Sequence, residues 1–431
     1  MEQSWGVDNA RAILGLLLII IFAWGWGGFR RPSMRMILWA LGLQFGLVLL
    51  LFAAPALRGA LVGLNSVVDA LEGATRAGTA FVFGYVGGGA TPYDTTKPQN
   101  SVSLAFQVLP LVLLVSALSA VLWRWRVLPF VTGLFAAIFR RTLGLSGAAS
   151  LAVAANIFLG MVEAPILAKP YLSRLTRSEL FVIMTAGMAT VAGTVLIIYA
   201  ILLRPLIPEA VGHVLAASVI SVPAAVLLAR LMVPEDDPRG AAKEARAERL
   251  HIGEPVYDST MDALTTGVVE GMKLYLNILA MLIVFVALVA LANVALGAAP
   301  DVAGAPLSVE RIFGWAFQPL MWLMGIPWAE AQTAGGLFGV KTALNEFLAF
   351  ERLGDVSETL SPRTRLILTY ALCGFANFGS LGIMLAGLTT MAPNRRKDIL
   401  DLGLPSLVSG TLATVMTGCV IAALPAGMFG F

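Results

Sequence analysis

Charged residues are scarce in this chain of 431 residues, and histidine and cysteine are scarcer still. Asp, Glu, Lys and Arg make up 13% of the residues, against about 25% in soluble domains, while hydrophobic residues make up 58%. The formal net charge of +3 is too small to indicate nucleic acid as a partner. The composition therefore predicts an integral membrane protein, with the lipid bilayer as its surroundings.

The two cysteines and two histidines leave little room for catalysis. Cys373 and Cys419 lie in apolar runs without the paired spacing of a disulfide framework or a metal site, so both are predicted to be small buried hydrophobes. His213 is predicted at the exposed end of a span and His251 in a polar linker, where they cannot share one site. No Gly-Lys-Ser/Thr phosphate loop is present. We therefore expect no enzyme, no ATP-driven pump and no cofactor.

About eight segments are apolar enough to cross a bilayer, because a helical crossing needs about 20 apolar residues. Acidic Glu2 and Asp8 precede the first segment and Arg30, Arg31 and Arg35 follow it, which predicts an N-terminus on the outside. The predicted spans are approximately 10–29, 36–57, 106–123, 179–203, 210–233, 274–297, 364–391 and 399–425.

Two further apolar segments are interrupted by residues that a simple span does not tolerate. Residues 144–173 are interrupted around Glu163, and residues 328–354 around Asn345 and Glu346. Non-helical backbone at membrane depth is stable only where protein or a water-filled cavity satisfies its polar groups. Both segments are therefore predicted to be re-entrant hairpins, the first entering from the inside and the second from the outside.

The span after each hairpin has small and polar residues at its centre, and one more span follows. These residues predict a broken helix in each case: Gly187, Thr190, Gly193 and Thr194 in the first, and Gly374, Asn377, Gly379 and Ser380 in the second. The order of hairpin, broken helix and span thus occurs twice with opposite entry sides. Such an inverted repeat, with the site at the repeat interface, is typical of a secondary transporter.

The same pattern divides the chain into five parts. They are scaffold helices over 1–123; an interfacial helix, hairpin, broken helix and span over 124–233; a cytoplasmic linker over 234–258, helical around AAKEARAER; a scaffold span and external segment over 259–327; and the second hairpin, broken helix and last span over 328–431.

Several motifs carry a family resemblance. GVKTALNEFLAF, CGFANFGSLGIMLAGLTTMAPNRR and GMVEAP, the last followed by KPYL and TRSELF, resemble the concentrative nucleoside transporter family from about Phe106 to the C-terminus. The resemblance implies a nucleoside importer of a bacterial inner membrane, coupled to a Na⁺ or H⁺ gradient. It also implies a homotrimer in which a scaffold holds the oligomer while hairpins and broken helices move.

Matching motif positions imply a substrate site. Glu346, Asn377 and Ser380 would hold the ribose hydroxyls, with Phe375 against the sugar. A carboxylate accepts hydrogen bonds from two vicinal hydroxyls, and an amide both donates and accepts. Asn345 beside Glu346 and Val195 in the first broken helix complete the set predicted on this side.

The first hairpin departs from the family. The family usually reads Gly-Gln-Thr-Glu or Gly-Gln-Ser-Glu, where the amide and hydroxyl face the nucleobase, but this chain has Gly160, Met161, Val162 and Glu163. Three outcomes stay open: a nucleoside recognised through its ribose and Glu163, a differently shaped base, or a ribosyl-like substrate that is not a common nucleoside.

The resemblance also implies a cation site. Its ligands would be the side chains of Asn156 and Thr190 and the carbonyls of Leu159 and Val191. Oxygen ligands suit a hard monovalent cation, so Na⁺ is favoured over H⁺ as the coupling ion. Proton coupling through Glu163 or Glu346 stays open, and so does a substrate sensor or leak pathway, which the same residues would serve.

Each site residue also has a plain structural alternative. Asn156 could cap hairpin backbone, as isolated Asn residues beside broken helices do. Glu163 could pair with Lys169, and Glu346 with Lys341.

Overall fold

The computed structural model describes residues 5–53, 55–94, 96, 102–235 and 257–429. These ranges are helical apart from turns and a single β-bridge between Val302 and Ala305. The helices are α1 Val7–Trp26, α2 Met34–Ala53, α3 Pro55–Phe83, α4 Leu111–Arg124, α5 Val127–Leu143, α6 Gly147–Ala155, α7 Glu163–Ile166, α8 Arg177–Ala189, α9 Gly193–Leu203, α10 Ala210–Met232, α11 Thr260–Gly297, α12 Val309–Leu323, α13 Trp328–Ala343, α14 Glu346–Asp355, α15 Pro362–Leu372, α16 Phe378–Met391 and α17 Arg396–Ala422. Shorter turns of 3₁₀-helix cover Gly84–Gly87, Lys169–Tyr171, Ser357–Thr359, Pro393–Arg395 and Ala426–Phe429, and a π-helical turn covers Leu104–Val108.

Seven helical segments of the described residues are long and apolar enough to cross a membrane. They are Val7–Trp26, Met34–Phe52, Leu104–Arg124, Arg177–Leu203, Ala210–Met232, Thr260–Gly297 and Pro393–Ala422. The eighth predicted span, 364–391, is divided between α15 and α16, and its second half is a shorter apolar helix. The protein is an all-helical membrane protein with several apolar spans.

Two helix pairs form hairpins, and the helix that follows each pair is broken. The first hairpin is α6 and α7 and the second is α13 and α14; α8 and α9 are separated at Thr190–Ala192, and α15 and α16 at Cys373–Asn377. A short helix precedes each hairpin, α5 in one case and α12 in the other. The long helices α10 and α17 follow, and they pack against each other and against α8. The same order of elements therefore occurs in residues 127–232 and 309–422.

Side-chain caps start the helices that frame the site. Thr176 Oγ1 accepts a hydrogen bond from Glu179 N at the start of α8, and Glu179 accepts one from Thr176 N in return. Ser361 caps α15, whose first residue is Pro362, a residue suited to that position. The cap signals in TRSELF and SPRTR thus explain where these two helices begin.

Small residues let the helices around the site approach closely. A Cβ on Gly410 of α17 would lie 2.3 Å from the Met188 Cβ of α8. A Cβ on Gly374, between α15 and α16, would lie 2.6 Å from Thr414 Cγ2 of α17. Real Cβ atoms essentially never come this close, so both positions require glycine. Their absence of a side chain lets α17 pack directly against both broken helices.

The first turn of α1 caps two distant helix ends. Asn9 Nδ2 donates to the carbonyls of Ala422, at 2.8 Å, and Leu424, at 2.9 Å, where α17 ends. Arg11 Nε donates to the Trp322 carbonyl at 2.6 Å, where α12 ends. The last carbonyls of a helix have no partner within it, so α1 supplies the donors that α17 and α12 need.

The prediction for His213 was wrong. His213 is 1% exposed, because Phe52 of α2 stacks on its ring at 4.6 Å between centroids and Tyr370 Oη lies 3.0 Å from its Nδ1. The buried positions predicted for Cys373 and Cys419 are confirmed. Most of the predicted linker at 234–258, including His251 and the helix around AAKEARAER, lies outside the described residues.

Candidate functional site

The turn of the second hairpin presents Glu346. Asn345 caps α14, because its Oδ1 accepts a hydrogen bond from Leu348 N at 2.9 Å. Glu346 is therefore the first residue of α14, and it is 5% exposed although it carries a carboxylate. The cap fixes the direction in which the hairpin presents this side chain.

Two neutral donors hold the Glu346 carboxylate. Tyr199 Oη donates to Oε1 at 2.6 Å, and Asn377 Nδ2 donates to Oε2 at 2.9 Å. Asn377 is itself fixed, because it is the N-cap of α16 and its Oδ1 accepts from Ser380 N at 2.7 Å. The second hairpin, the second broken helix and the first broken helix thus meet at one carboxylate.

Tyr199 was not predicted as a site residue from the sequence. It lies in α9, is 1% exposed and packs against the rings of Phe347 and Phe350. A buried tyrosine hydroxyl usually has a hydrogen-bond partner, so the single aromatic hydroxyl in the run GTVLIIYAILL was the available signal.

Backbone hydrogen bonds join the two breaks and the first hairpin. Phe375 N, in the second break, donates to the Thr190 carbonyl of the first break at 3.2 Å. Gly193 N donates to the Phe158 carbonyl in the first hairpin at 3.1 Å. A Cβ on Gly193 would lie 2.8 Å from that carbonyl oxygen, so glycine permits the contact.

Asn156 has an unusual environment at the C-terminal end of α6. Its side chain is completely buried, and within the described ranges neither Oδ1 nor Nδ2 has a hydrogen-bond partner. The alternative that Asn156 hydrogen-bonds hairpin backbone through its side chain therefore does not hold in this structure. A buried amide without partners costs about 1–3 kcal/mol, which makes Asn156 a candidate ligand-binding residue.

The other oxygen atoms predicted for a cation site lie at or near the first break. Thr190 is buried, and its Oγ1 donates to the Ala186 carbonyl at 2.9 Å, which leaves lone pairs on the hydroxyl. The Val191 carbonyl accepts from Ser218 Oγ at 3.4 Å, and Leu159 is half-buried. Amide, hydroxyl and carbonyl oxygens suit a hard monovalent cation. No group of three or more His, Cys, Asp or Glu residues that could hold a metal occurs among the described residues.

The first hairpin packs its two apolar residues against glycines. A Cβ on Gly187 of α8 would lie 3.0 Å from Met161 Cβ, and one on Gly387 of α16 would lie 2.8 Å from Val162 Cγ1. Glu163 is exposed, and its carboxylate folds over Gly160, where a Cβ would lie 2.1 Å from Oε2. The turn is thus wedged between the two broken helices.

The remaining predicted residues lie beside this centre. Val195 is buried in the first turn of α9, Phe375 is half-buried in the second break, and Ser380 is buried in α16. Glu163 and Lys169 both lie in the described part of the chain and form no ion pair there. Lys341 donates to Thr414 Oγ1 at 3.1 Å, so the direct ion pair considered for Glu346 is not formed either.

Three family profiles together match most of the chain. The profile described as Na⁺ dependent nucleoside transporter C-terminus matches residues 213–422, and the corresponding N-terminus profile matches residues 14–86. A third, described as nucleoside recognition, matches residues 105–206. The C-terminal match includes both Glu346 and Asn377.

Similar proteins match over the whole length. The chain is 35% identical to the uncharacterized transporter YutK of Bacillus subtilis, with 100% of both chains covered. It is 35% identical to an uncharacterized transporter of Haemophilus influenzae, with 97% of both covered. It is 34% identical to the sodium/nucleoside cotransporter 1 of Rattus norvegicus, over 94% of this chain and 62% of that one.

Solved structures share the fold. CNTnw in an inward-facing substrate-bound state matches with a TM-score of 0.86 and 32% identity, over 97% of this chain and 98% of that chain. A doubly substituted CNTnw in an outward-facing state matches with the same score and identity. From these similarities, together with the carboxylate and amides assembled between hairpins and broken helices, the chain belongs to the concentrative nucleoside transporter family and is a transporter rather than an enzyme.

Proposed function

We propose that this protein is a Na⁺-coupled importer of nucleosides in the inner membrane of a bacterium. The observation that carries the proposal is the Glu346 carboxylate, buried between Tyr199 and Asn377 where the second hairpin meets both broken helices. A buried carboxylate with only neutral donors is costly unless a ligand uses it.

A ribose ring suits this arrangement. Its vicinal hydroxyls can donate to the two Glu346 oxygens, while Asn377 and Ser380 accept or donate at the same face. Phe375 offers an apolar surface to the sugar. Each Glu346 oxygen can accept a hydrogen bond from a sugar hydroxyl beside the one that it already accepts, so the substrate binds without leaving a buried polar group unsatisfied.

The first hairpin, where the nucleobase would bind, supplies fewer hydrogen-bonding side chains than the ribose side of the site. Met161 and Val162 pack against glycines and offer no donor or acceptor from their side chains. A base edge that loses a buried partner loses about 1–3 kcal/mol of binding. We therefore expect recognition mainly through the ribose and Glu163. The same observation favours a second candidate, a ribosyl-like substrate other than a common nucleoside.

The coupling ion is proposed to be Na⁺, bound by Asn156, Thr190 and the carbonyls of Leu159 and Val191. The partnerless buried Asn156 amide supports this choice. The ion site adjoins the first hairpin, whose Phe158 carbonyl bonds to Gly193 in α9. Binding of Na⁺ would thus order the hairpin whose next turn carries Glu163.

The proposed transport cycle is an elevator movement. Eight crossings and two re-entrant hairpins would form an inverted repeat, with the N-terminus outside. The hairpins and broken helices would carry substrate and ion together across a scaffold within a homotrimer, as in the family resemblance. Movement without both ligands would expose unsatisfied groups to an apolar scaffold, which couples the two fluxes.

Uptake by the purified protein in proteoliposomes tests the proposal. Radiolabelled purine and pyrimidine nucleosides are offered under an inward Na⁺ gradient, a proton gradient or neither. We expect accumulation of at least one nucleoside under Na⁺ alone. Equilibration of a nucleoside without accumulation would indicate a leak pathway. Accumulation under a proton gradient alone would mean that H⁺ and not Na⁺ is the coupling ion. If folded protein took up none of the nucleosides, a different substrate would be favoured.

A further inference from the structure

Lys341 is a buried cation that the proposed binding site does not use. It lies in α13, one arm of the second hairpin, and its side chain has no exposed surface. Its ammonium donates to Thr414 Oγ1 of α17 at 3.1 Å and lies 5.1 Å from the centre of the Phe338 ring. The Thr414 hydroxyl in turn donates to the Thr411 carbonyl at 2.9 Å, which orients its lone pairs.

Contacts with one hydroxyl and one ring face do not offset the free-energy cost of burying an ammonium group. The desolvation penalty is several kcal/mol for an ion that has no opposite charge nearby. The opposite charge is Glu346, which follows Lys341 across the turn at Leu344 and Asn345 and interacts with it electrostatically. The two charges therefore offset part of each other's burial cost within one hairpin.

The distance kept between the two charges matters for the site. Each Glu346 oxygen accepts one hydrogen bond from a neutral group, Tyr199 or Asn377, and keeps a lone pair to which a sugar hydroxyl can donate. A lysine in direct contact would occupy a carboxylate oxygen and compete with the substrate. Thr414 instead anchors the ammonium on α17, where it contributes charge but occupies neither oxygen.

We propose that Lys341 is a positioning residue that balances the charge of Glu346 at the tip of the second hairpin throughout the transport cycle. This inference rests on the proposed function. Of the two carboxylates at the site, Glu346 is then balanced by Lys341, and Glu163 alone is left uncompensated. One monovalent cation neutralises that remaining charge. Counting only Glu163, Lys341, Glu346 and the ion, the loaded unit is neutral and the empty unit carries one negative charge.

Loss of Lys341 changes the two halves of the cycle differently. Without it, the loaded unit carries one negative charge, the same charge that the wild-type empty unit carries when it returns. The empty unit then carries two negative charges, and moving an uncompensated charge into an apolar environment is strongly unfavourable. Lys341 therefore lowers the energy barrier mainly for the return of the empty unit.

The test compares net uptake with exchange in proteoliposomes, using radiolabelled nucleoside. Exchange, with unlabelled nucleoside and Na⁺ on both sides, needs only the loaded unit, whereas net uptake also needs the empty return. For Lys341→Met we expect net uptake to fall about 10-fold or more while exchange stays within about 3-fold of wild type. Lys341→Arg keeps the charge and should retain both activities.

Thr414→Val provides a matched control, because it removes the ammonium's hydrogen-bond partner and keeps the charge. It should change net uptake and exchange by the same factor. An equal fall of both activities in Lys341→Met, or no fall in either, would overturn the proposal. Wild-type protein that performs net uptake and exchange upholds the proposed function independently of these variants.

A second measurement needs no substitution. In wild-type proteoliposomes carrying a potassium diffusion potential, exchange should not respond to voltage, because the loaded unit is neutral. Net uptake should rise when the interior is negative, because that potential drives the negatively charged empty unit outward. Exchange that responds to voltage would contradict the charge balance.

Discussion

At the residue scale, Glu346 is the side chain on which the site depends. Its carboxylate is buried, and the two side chains that satisfy it come from two other helices, Tyr199 from α9 and Asn377 from the start of α16. A substitution at Glu346 therefore changes contacts in the second hairpin and in both broken helices.

Glu346→Gln should keep the fold and lose transport. The amide can still accept from Tyr199, but it loses the charge that strengthens hydrogen bonds to sugar hydroxyls, an effect of about 1.5–3 kcal/mol or about 10-fold to 100-fold in uptake. Initial uptake rates of monodisperse protein measure this. Glu351→Gln, an exposed position on the same helix, is the control and should behave as wild type. Undiminished uptake by Glu346→Gln would remove the ribose role.

Asn156→Ala should abolish stabilisation by Na⁺ without weakening the ion-free protein. The substitution removes two buried polar atoms that have no partner in the described structure, whereas a bound ion stabilises the native state in proportion to its occupancy. Thermal unfolding with and without Na⁺ measures both effects. Ser150→Ala, also buried in α6, should keep the Na⁺-induced shift. A variant of Asn156 that keeps the shift would exclude this residue as a ligand.

Sequence reasoning identified side chains by their polarity within apolar runs. Glu346 and Asn377 stood out for that reason, and the structure brings them together. Tyr199 was missed because tyrosine is ordinary in an apolar helix, and its partner is distant in the chain. His213 was misplaced because its cover comes from Phe52 of α2, a contact that no local pattern reveals.

At the element scale, glycines set how closely the first hairpin approaches the broken helices. Gly387→Ala should lower uptake several-fold, because its Cβ would lie 2.8 Å from Val162 Cγ1 and the stiff valine would have to move the hairpin turn. Gly382→Ala is the matched control on the same helix, since a Cβ there meets nothing within 4 Å. It should leave uptake unchanged and stabilise α16 by up to about 1 kcal/mol. Equal effects of the two substitutions on uptake would refute the packing argument.

Glu310 ties α12 to the second hairpin and to α11, through hydrogen bonds from Arg352 and from Asn293, the latter at 3.1 Å. Burial alone would raise the pKa of this carboxyl, but the hydrogen bonds outweigh burial and hold the pKa below its ordinary value of 4.5. A carboxyl with a lowered pKa stabilises the fold above its unfolded pKa and loses that contribution as the pH falls through the folded one.

Thermal unfolding of wild type and Glu310→Gln at several pH values checks this expectation. The variant should be less stable at neutral pH, and the difference should shrink below about pH 4 as the wild-type carboxyl becomes protonated. A difference that stays constant down to acid pH would mean that ionisation of Glu310 contributes nothing.

The interruptions in the helices could be predicted from sequence, but their contacts could not. Clusters of small and polar residues marked the breaks at Thr190–Ala192 and Cys373–Asn377. The start of α11 at Thr260, well before the predicted 274, was missed because the first turns of this helix are polar. The hydrogen bond from Phe375 to Thr190 joins backbone atoms, which carry no signal in the sequence.

At the scale of the whole molecule, one ionic contact joins α3 to the end of α9. Arg204 pairs with Asp69 at 2.6 Å and with Glu72 at 3.6 Å. If α9 moves past α3 in the proposed cycle, this contact must break and reform. All three side chains are partly exposed, so the pairing is worth at most about 1 kcal/mol.

Arg204→Ala should therefore change uptake by less than about 5-fold and leave thermal stability nearly unchanged. Arg204→Asp should have a larger effect, because it places like charges together, and Asp69→Arg in the same chain should restore part of the lost rate. Uptake assays on the three variants measure this. A double variant no better than Arg204→Asp would show that the contact does not influence the cycle.

The caps that α1 places on α17 and α12 bear on how the molecule divides mechanically. Asn9 and Arg11 bond to backbone carbonyls, so α1 cannot slide along either helix without stripping their ends of donors. α2 is likewise packed against α10. If α10 and α17 move in the proposed cycle, we expect the first two spans to move with them rather than with a scaffold over residues 1–123. The moving part would then include more of the chain than the hairpins and broken helices alone.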